Sequence, residues 1–96
     1  MDEDIFRVEP TGGFRLCLWF KDGTTGEVDL EKIIKFRGIF KPLRDLEFFR
    51  QVRVNSEMGC IEWPNGADLD SLVLYAKVTG KPIESFLNLN TKLEKV

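Results

Sequence analysis

The chain has 96 residues, 43% hydrophobic and 31% charged, with eight Phe, two Trp and no His. That is enough apolar material for one core and too little length for two. The missing imidazole excludes Ser-His-Asp and Cys-His nucleophile systems, His-ligated zinc and imidazole proton shuttles.

In chain order, residues 5–9 read as a first strand with Phe6 and Val8 on one side, closed by Pro10-Thr11-Gly12-Gly13. Phe14, Leu16, Leu18 and Phe20 alternate along a second strand, and Lys21-Asp22-Gly23 follows with turn chemistry. Residues 25–30 complete an antiparallel meander. Asp29 is placed to cap a short helical turn over residues 30–36, which Gly38 stops, and residues 40–45 form a second single turn. Phe48 and Phe49 then lead into a fourth strand over residues 51–55, with Val52 and Val54 inward. Residues 56–59 turn the chain into a fifth strand over residues 60–63, which Pro64 ends.

Beyond the corner Trp63-Pro64-Asn65-Gly66, Asp68 is placed to cap the main helix, whose stripe is Leu69, Leu72, Val73 and Ala76 with Tyr75 on its flank. Thr79-Gly80-Lys81-Pro82 ends that helix, residues 83–87 form another turn, and residues 88–96 are a polar end that frays. The expected fold class is therefore α+β: a small antiparallel sheet, meander plus hairpin, with one main helix and short helical turns. Residues 1–96 make one domain, with a core over about 5–76 and a C-terminal extension over 77–96.

Little in the chain offers chemistry. The glycines match neither GxGxxG nor GxxxxGK[ST], and Ser56, Ser71 and Ser85 have no base to activate them. Asp68 and Asp70, two apart on a helix, point in different directions and read as capping and solvation, although with Glu62 they would be the donors of an all-oxygen metal site. Cys17 and Cys60 show no CxxC or Cys/His spacing and read as reduced thiols. No catalytic, cofactor-binding or metal-binding residue is assigned. Apolar runs fall far short of the roughly 20 residues that cross a bilayer. The start, Met1-Asp2-Glu3-Asp4, is acidic where a secretion signal is basic, so a cytoplasmic location is expected.

Charge is unevenly spread. Residues 1–31 carry eight acids against three bases, residues 32–53 two acids against seven bases, and residues 54–96 six acids against four bases. The middle is a basic island within a chain of net charge −2. Its cations, Lys32, Lys35, Arg37, Lys41, Arg44, Arg50 and Arg53, alternate with Phe36, Phe40, Phe48 and Phe49. Bases with aromatics suit single-stranded nucleic acid, while the same residues also read as core plus solvated surface.

Phe40-Lys41-Pro42-Leu43-Arg44-Asp45, Phe49, Val52-Arg53-Val54, Leu74-Tyr75 and above all Trp63-Pro64-Asn65-Gly66-Ala67-Asp68-Leu69-Asp70 resemble one pattern, that of the DUF2442 family of small bacterial proteins. The Asp22-Gly23 turn and Val28-Asp29-Leu30 extend the likeness to roughly residues 5–76. The resemblance implies an α+β domain like the N-terminal half of proteins in which a helix-turn-helix domain follows, and the 21 residues after Tyr75 are too few for that domain. It also implies a two-gene-pair, toxin-antitoxin-like association with another small protein. The functional expectation is a non-catalytic protein-interaction module of antitoxin-like or accessory kind, with Trp63, Asn65 and Tyr75 as a partner-binding patch beside their structural role. The alternative is a nucleic-acid-binding regulator using Arg37, Lys41, Arg44, Arg50 and Arg53.

Overall fold

The computed structural model describes residues 2–81. Six strands and two helices follow one another as β1 (Ile5–Gly12), β2 (Arg15–Phe20), β3 (Thr25–Asp29), two 3-10 turns (Leu30–Lys32 and Gly38–Arg44), α1 (Leu46–Phe49), β4 (Arg53–Asn55), β5 (Cys60–Glu62), β6 (Asp68–Leu69) and α2 (Ser71–Thr79). The arrangement is α+β, with antiparallel pairing throughout. The strands divide into two three-stranded sheets, β1-β2-β3 and β4-β5-β6. The turn expected over residues 83–87 and the polar end over 88–96 lie outside the described residues.

The first sheet follows from alternation. Leu16, Leu18 and Phe20 are fully buried, and Phe14, half-buried, packs against them. In β1 the inward residues are Ile5 and Val8, not Phe6 and Val8. The register steps from Ile5 opposite Phe20 to Arg7 opposite Trp19, so two residues of β1 span one of β2. A bulge of this kind reverses the pleat locally and turns Phe6 out, leaving it 55% exposed. Beyond the bulge Val8 faces Leu18, while on the outer face the Arg7 guanidinium lies 4.4 Å from the centre of the Trp19 ring.

The connectors are tighter than the periodicity implies. Asp29 caps the first 3-10 turn, its carboxylate accepting from the Glu31 amide at 3.1 Å, but the turn stops at Lys32. The second begins at Gly38 and runs to Arg44. Asp45 then caps α1, a four-residue helix at Phe48 and Phe49 where only a lead into the next strand is expected. That helix shortens β4, which starts at Arg53.

The Trp63-Pro64-Asn65-Gly66 corner is a hairpin turn before it is an entry to the helix. Trp63 N–H donates to the Ala67 carbonyl at 2.9 Å and Gly66 N–H to the Trp63 carbonyl at 3.0 Å. Gly66 supplies the positive φ of 91° that this closure needs. The returning residues form β6, with Leu69 opposite Ile61 and Asp68 opposite Glu62. Asp68 is therefore a strand residue, and Asp70 caps α2, accepting from the Leu72 amide at 3.1 Å. This later start changes the helix phase. The inward stripe is Ser71, Leu74, Tyr75 and Val78, spaced i, i+3, i+4, i+7: Ser71 and Leu74 are buried and the half-buried Tyr75 and Val78 pack against the core, whereas the equally half-buried Leu72, Val73 and Ala76 lie outside that cluster. On β3, a Cβ at Gly26 would overlap the Val78 side chain, so the absent side chain is what lets α2 approach the first sheet.

Both sheets and α2 meet in one cluster around Ile5, Leu16, Leu18, Phe20, Leu43, Phe49, Ile61, Trp63 and Leu74. The two sheets also join directly, because the Ile5 amide donates to the Gly59 carbonyl at 2.8 Å. Trp63, 1% exposed, donates its indole N–H to the Phe49 carbonyl at 2.9 Å. Trp63→Phe should cost about 2–4 kcal/mol, combining a buried carbonyl stripped of its donor with the volume lost. Denaturant unfolding measures this, and a loss below about 1 kcal/mol would mean that the hydrogen bond contributes little.

Candidate functional site

The three residues expected to form a partner patch go to different places. Trp63 is buried under the corner, with its ring centre 6.0 Å from that of Phe49, so it offers no surface for the partner contact expected of it. Asn65 is exposed, yet both ends of its amide are engaged. Its Nδ2 donates to the Ile39 carbonyl at 2.9 Å and its Oδ1 accepts from the Ala67 amide at 3.1 Å. The corner is thereby tied to the second 3-10 turn. Tyr75 is half-buried, edge-on to Phe20 at 5.1 Å, and its hydroxyl donates to the Asp22 carboxylate in the β2–β3 turn.

Hydrogen bonding or burial accounts for every group whose acidity shifts. The bond from Tyr75, helped by the Thr24 amide, holds the Asp22 carboxyl below its usual range, and the same bond raises Tyr75. Glu62 is lowered by the Asn55 amide at 3.0 Å and then by Arg53 at 2.8 Å. Burial, followed by the nearby Asp68 and Glu62 carboxylates, pushes the Cys60 thiol up, which suppresses the nucleophilic thiolate. Cys17 and Cys60 are both free thiols. Among the described residues no group of three or more His, Cys, Asp or Glu side chains converges as a metal site. Asp70 is committed to the helix cap, and Glu62 to Asn55 and Arg53.

The basic island is the part that assembles. Lys35, Arg37 and Arg44 line one open depression of about 440 Å³ together with Glu31, Ile34 and Phe36. The Arg44 guanidinium lies over the Phe36 ring at 5.4 Å, and Phe36 packs against Phe14 at 4.8 Å between ring centres. Lys41 is one turn before Arg44 on the same 3-10 segment, a spacing that puts the two on one side of it. Arg53 stands apart, ion-paired with Glu62 across β4 and β5, and Arg50 is exposed at the end of α1. The aromatics do not follow the cations outward. Phe49 is fully buried, while Phe36, Phe40 and Phe48 are partly buried against the core. Glu31 and Ile34 were not among the expected site residues, and Lys35 was named only as a member of the basic island. Nothing in their order marks them, because they come together through the irregular stretch between the two 3-10 turns.

Two variants separate structural from recognition roles. Asn65→Ala should lower stability by about 1–2 kcal/mol through its two lost hydrogen bonds, whereas a residue serving only a partner would leave unfolding unchanged. Tyr75→Phe has a pH signature. Asp22 has a depressed folded pKa, so its contribution is present above the unfolded value of about 4 and is lost as pH falls through the folded value. Tyr75 has a raised folded pKa, so its contribution is present below about 10 and is lost as pH rises through the folded value. The destabilisation by Tyr75→Phe should thus be largest between these limits and shrink on either side. A pH-independent difference between the two proteins would show that the bond carries none of it.

Neither a curated protein nor a solved structure matches the chain. Among the described residues no helix is long and apolar enough to cross a membrane. The model of one protein family, described as a protein of unknown function, matches residues 5–80, a span that takes in both sheets, the basic depression, the Trp63-Pro64-Asn65-Gly66 corner and α2, so the chain belongs to the DUF2442 family.

Proposed function

We propose that the protein is a non-catalytic protein-interaction module, the antitoxin-like or accessory member of a two-gene pair, acting in the cytoplasm. The observation that carries this reading is the division of labour within residues 31–53. The cations of the 3-10 segment face solvent around a depression, while the aromatics between them are spent on the core. Nucleic-acid binding of the single-stranded kind relies on open ring faces for base stacking as well as on cations. Here the Phe36 ring has Phe14 against it and Arg44 over it. A charged surface without a stacking platform suits the side chains of a protein.

The titratable groups point the same way. Asp22, Glu62 and Tyr75 are shifted by bonds that hold turns and strands together, and Cys60 by burial. Perturbed groups at a catalytic site converge on a cleft, and these are spread over both sheets and α2.

Co-expression with the product of the adjacent gene, followed by size-exclusion chromatography, tests the proposal. A single peak holding both chains is expected. Separate elution of the two chains at micromolar concentration would refute the pairing.

A further inference from the structure

The basic depression has the features of a site built for carboxylates. Three cations and one acid line it, and Arg53, one of the island's cations outside it, has in Glu62 an ion-pair partner of the kind that they lack. Among the described residues Lys35, Arg37 and Arg44 form no ion pair. Arg44 is held in place by its stacking on Phe36, which is itself braced by Phe14, so part of the ordering cost of binding is already met. Ile34 and Phe36 add a partly buried apolar floor between the charges.

We propose that this depression docks an acidic segment of a partner protein. Carboxylates of the segment meet the guanidinium forks of Arg37 and Arg44 and the ammonium of Lys35, and one apolar side chain of the segment lies against Ile34. The inference rests on the reading of the chain as an interaction module and adds the chemistry of its partner. Charge complementarity selects the occupant. Arg presents paired donors that match a carboxylate edge to edge. A volume of about 440 Å³ holds a few side chains, whereas single-stranded nucleic acid tracks a groove of several nucleotides.

The test titrates the full chain with a Glu-rich peptide carrying a single Leu and, separately, with an oligothymidylate of equal charge, reading amide chemical shifts and fluorescence polarisation. The peptide should perturb residues 31–44, bind more weakly as salt rises, and lose about tenfold or more in affinity with Arg37→Glu plus Arg44→Glu. Lys35→Glu, which disturbs no ring contact, should weaken binding several-fold and gives a second reading if the Arg44 variant unfolds. Arg53→Glu should leave affinity within about twofold. Absence of peptide binding, perturbation centred elsewhere, or tighter oligothymidylate binding with the same sensitivity to reversal would each overturn the proposal. If the two-gene complex forms and survives these reversals, this inference fails while the interaction module stands. If the peptide binds as expected and no complex forms, the gene pairing fails while this inference stands.

Discussion

The indole of Trp63 ties the corner to a distant stretch of backbone inside the core. Its N–H reaches the carbonyl of Phe49, 14 residues earlier, and is buried. Phe49 belongs to α1, which follows the basic segment, while Trp63 ends β5 and opens the corner that returns as β6. One hydrogen bond thus joins the second sheet to the connector between sheets. A buried amide carbonyl without a donor costs about 1–3 kcal/mol, so the corner and α1 are each held by the other's presence. The rings extend the constraint. From Trp63 to Phe49, then Phe14, then Phe36, ring centres lie 6.0, 5.3 and 4.8 Å apart. Arg44 rests on the last of these rings, so the depression on the surface is the outer end of a row of aromatics that starts under the corner.

What was legible along the chain was whatever local chemistry decides. The alternation of β2, the cap at Asp29 and the turn at Asp22-Gly23 all depend on residues within a few positions of one another, and all are present. Two of the misplacements come from strand pairing, which local composition does not record. Phe6 turns outward because β2 dictates a bulge, which no alternation in β1 records. Asp68 and Asp70 are equally good caps by composition. The choice falls on Asp70 because Asp68 and Leu69 pair with Glu62 and Ile61, and that two-residue strand resets the face of α2.

The site divides in the same way. The excess of cations over residues 32–53 is visible by counting, but their partners are not. Arg53 leaves the group because β4 and β5 pair it with Glu62, nine residues on, whereas Arg37 and Arg44 stay together because one 3-10 segment spans both ends of the depression. Interleaved Phe residues read as a stacking platform when only their order is known. Their packing assigns them to the core instead. Trp63 and Tyr75 were recognisable as important, and the structure explains that importance by folding: one supports the corner, and the other fastens α2 to the β2–β3 turn through Asp22.

A basic depression on a chain of net charge −2 has consequences for how an acidic partner would be met. At physiological ionic strength charges are screened beyond about 8 Å, so the overall acidity of the two proteins adds little repulsion at a distance and the island adds little attraction. Under the proposed docking the island's effect comes at close range, where Arg37 and Arg44 would replace water around carboxylates. Two acidic proteins in general gain nothing from approaching each other, and only a segment that presents its carboxylates to the depression does. Under the proposed docking, selectivity comes from the contrast between the island and the excess of acids over residues 1–31 and 54–96. The uneven charge thus fits the proposed acidic segment, whose few carboxylates need no more cations than the island supplies.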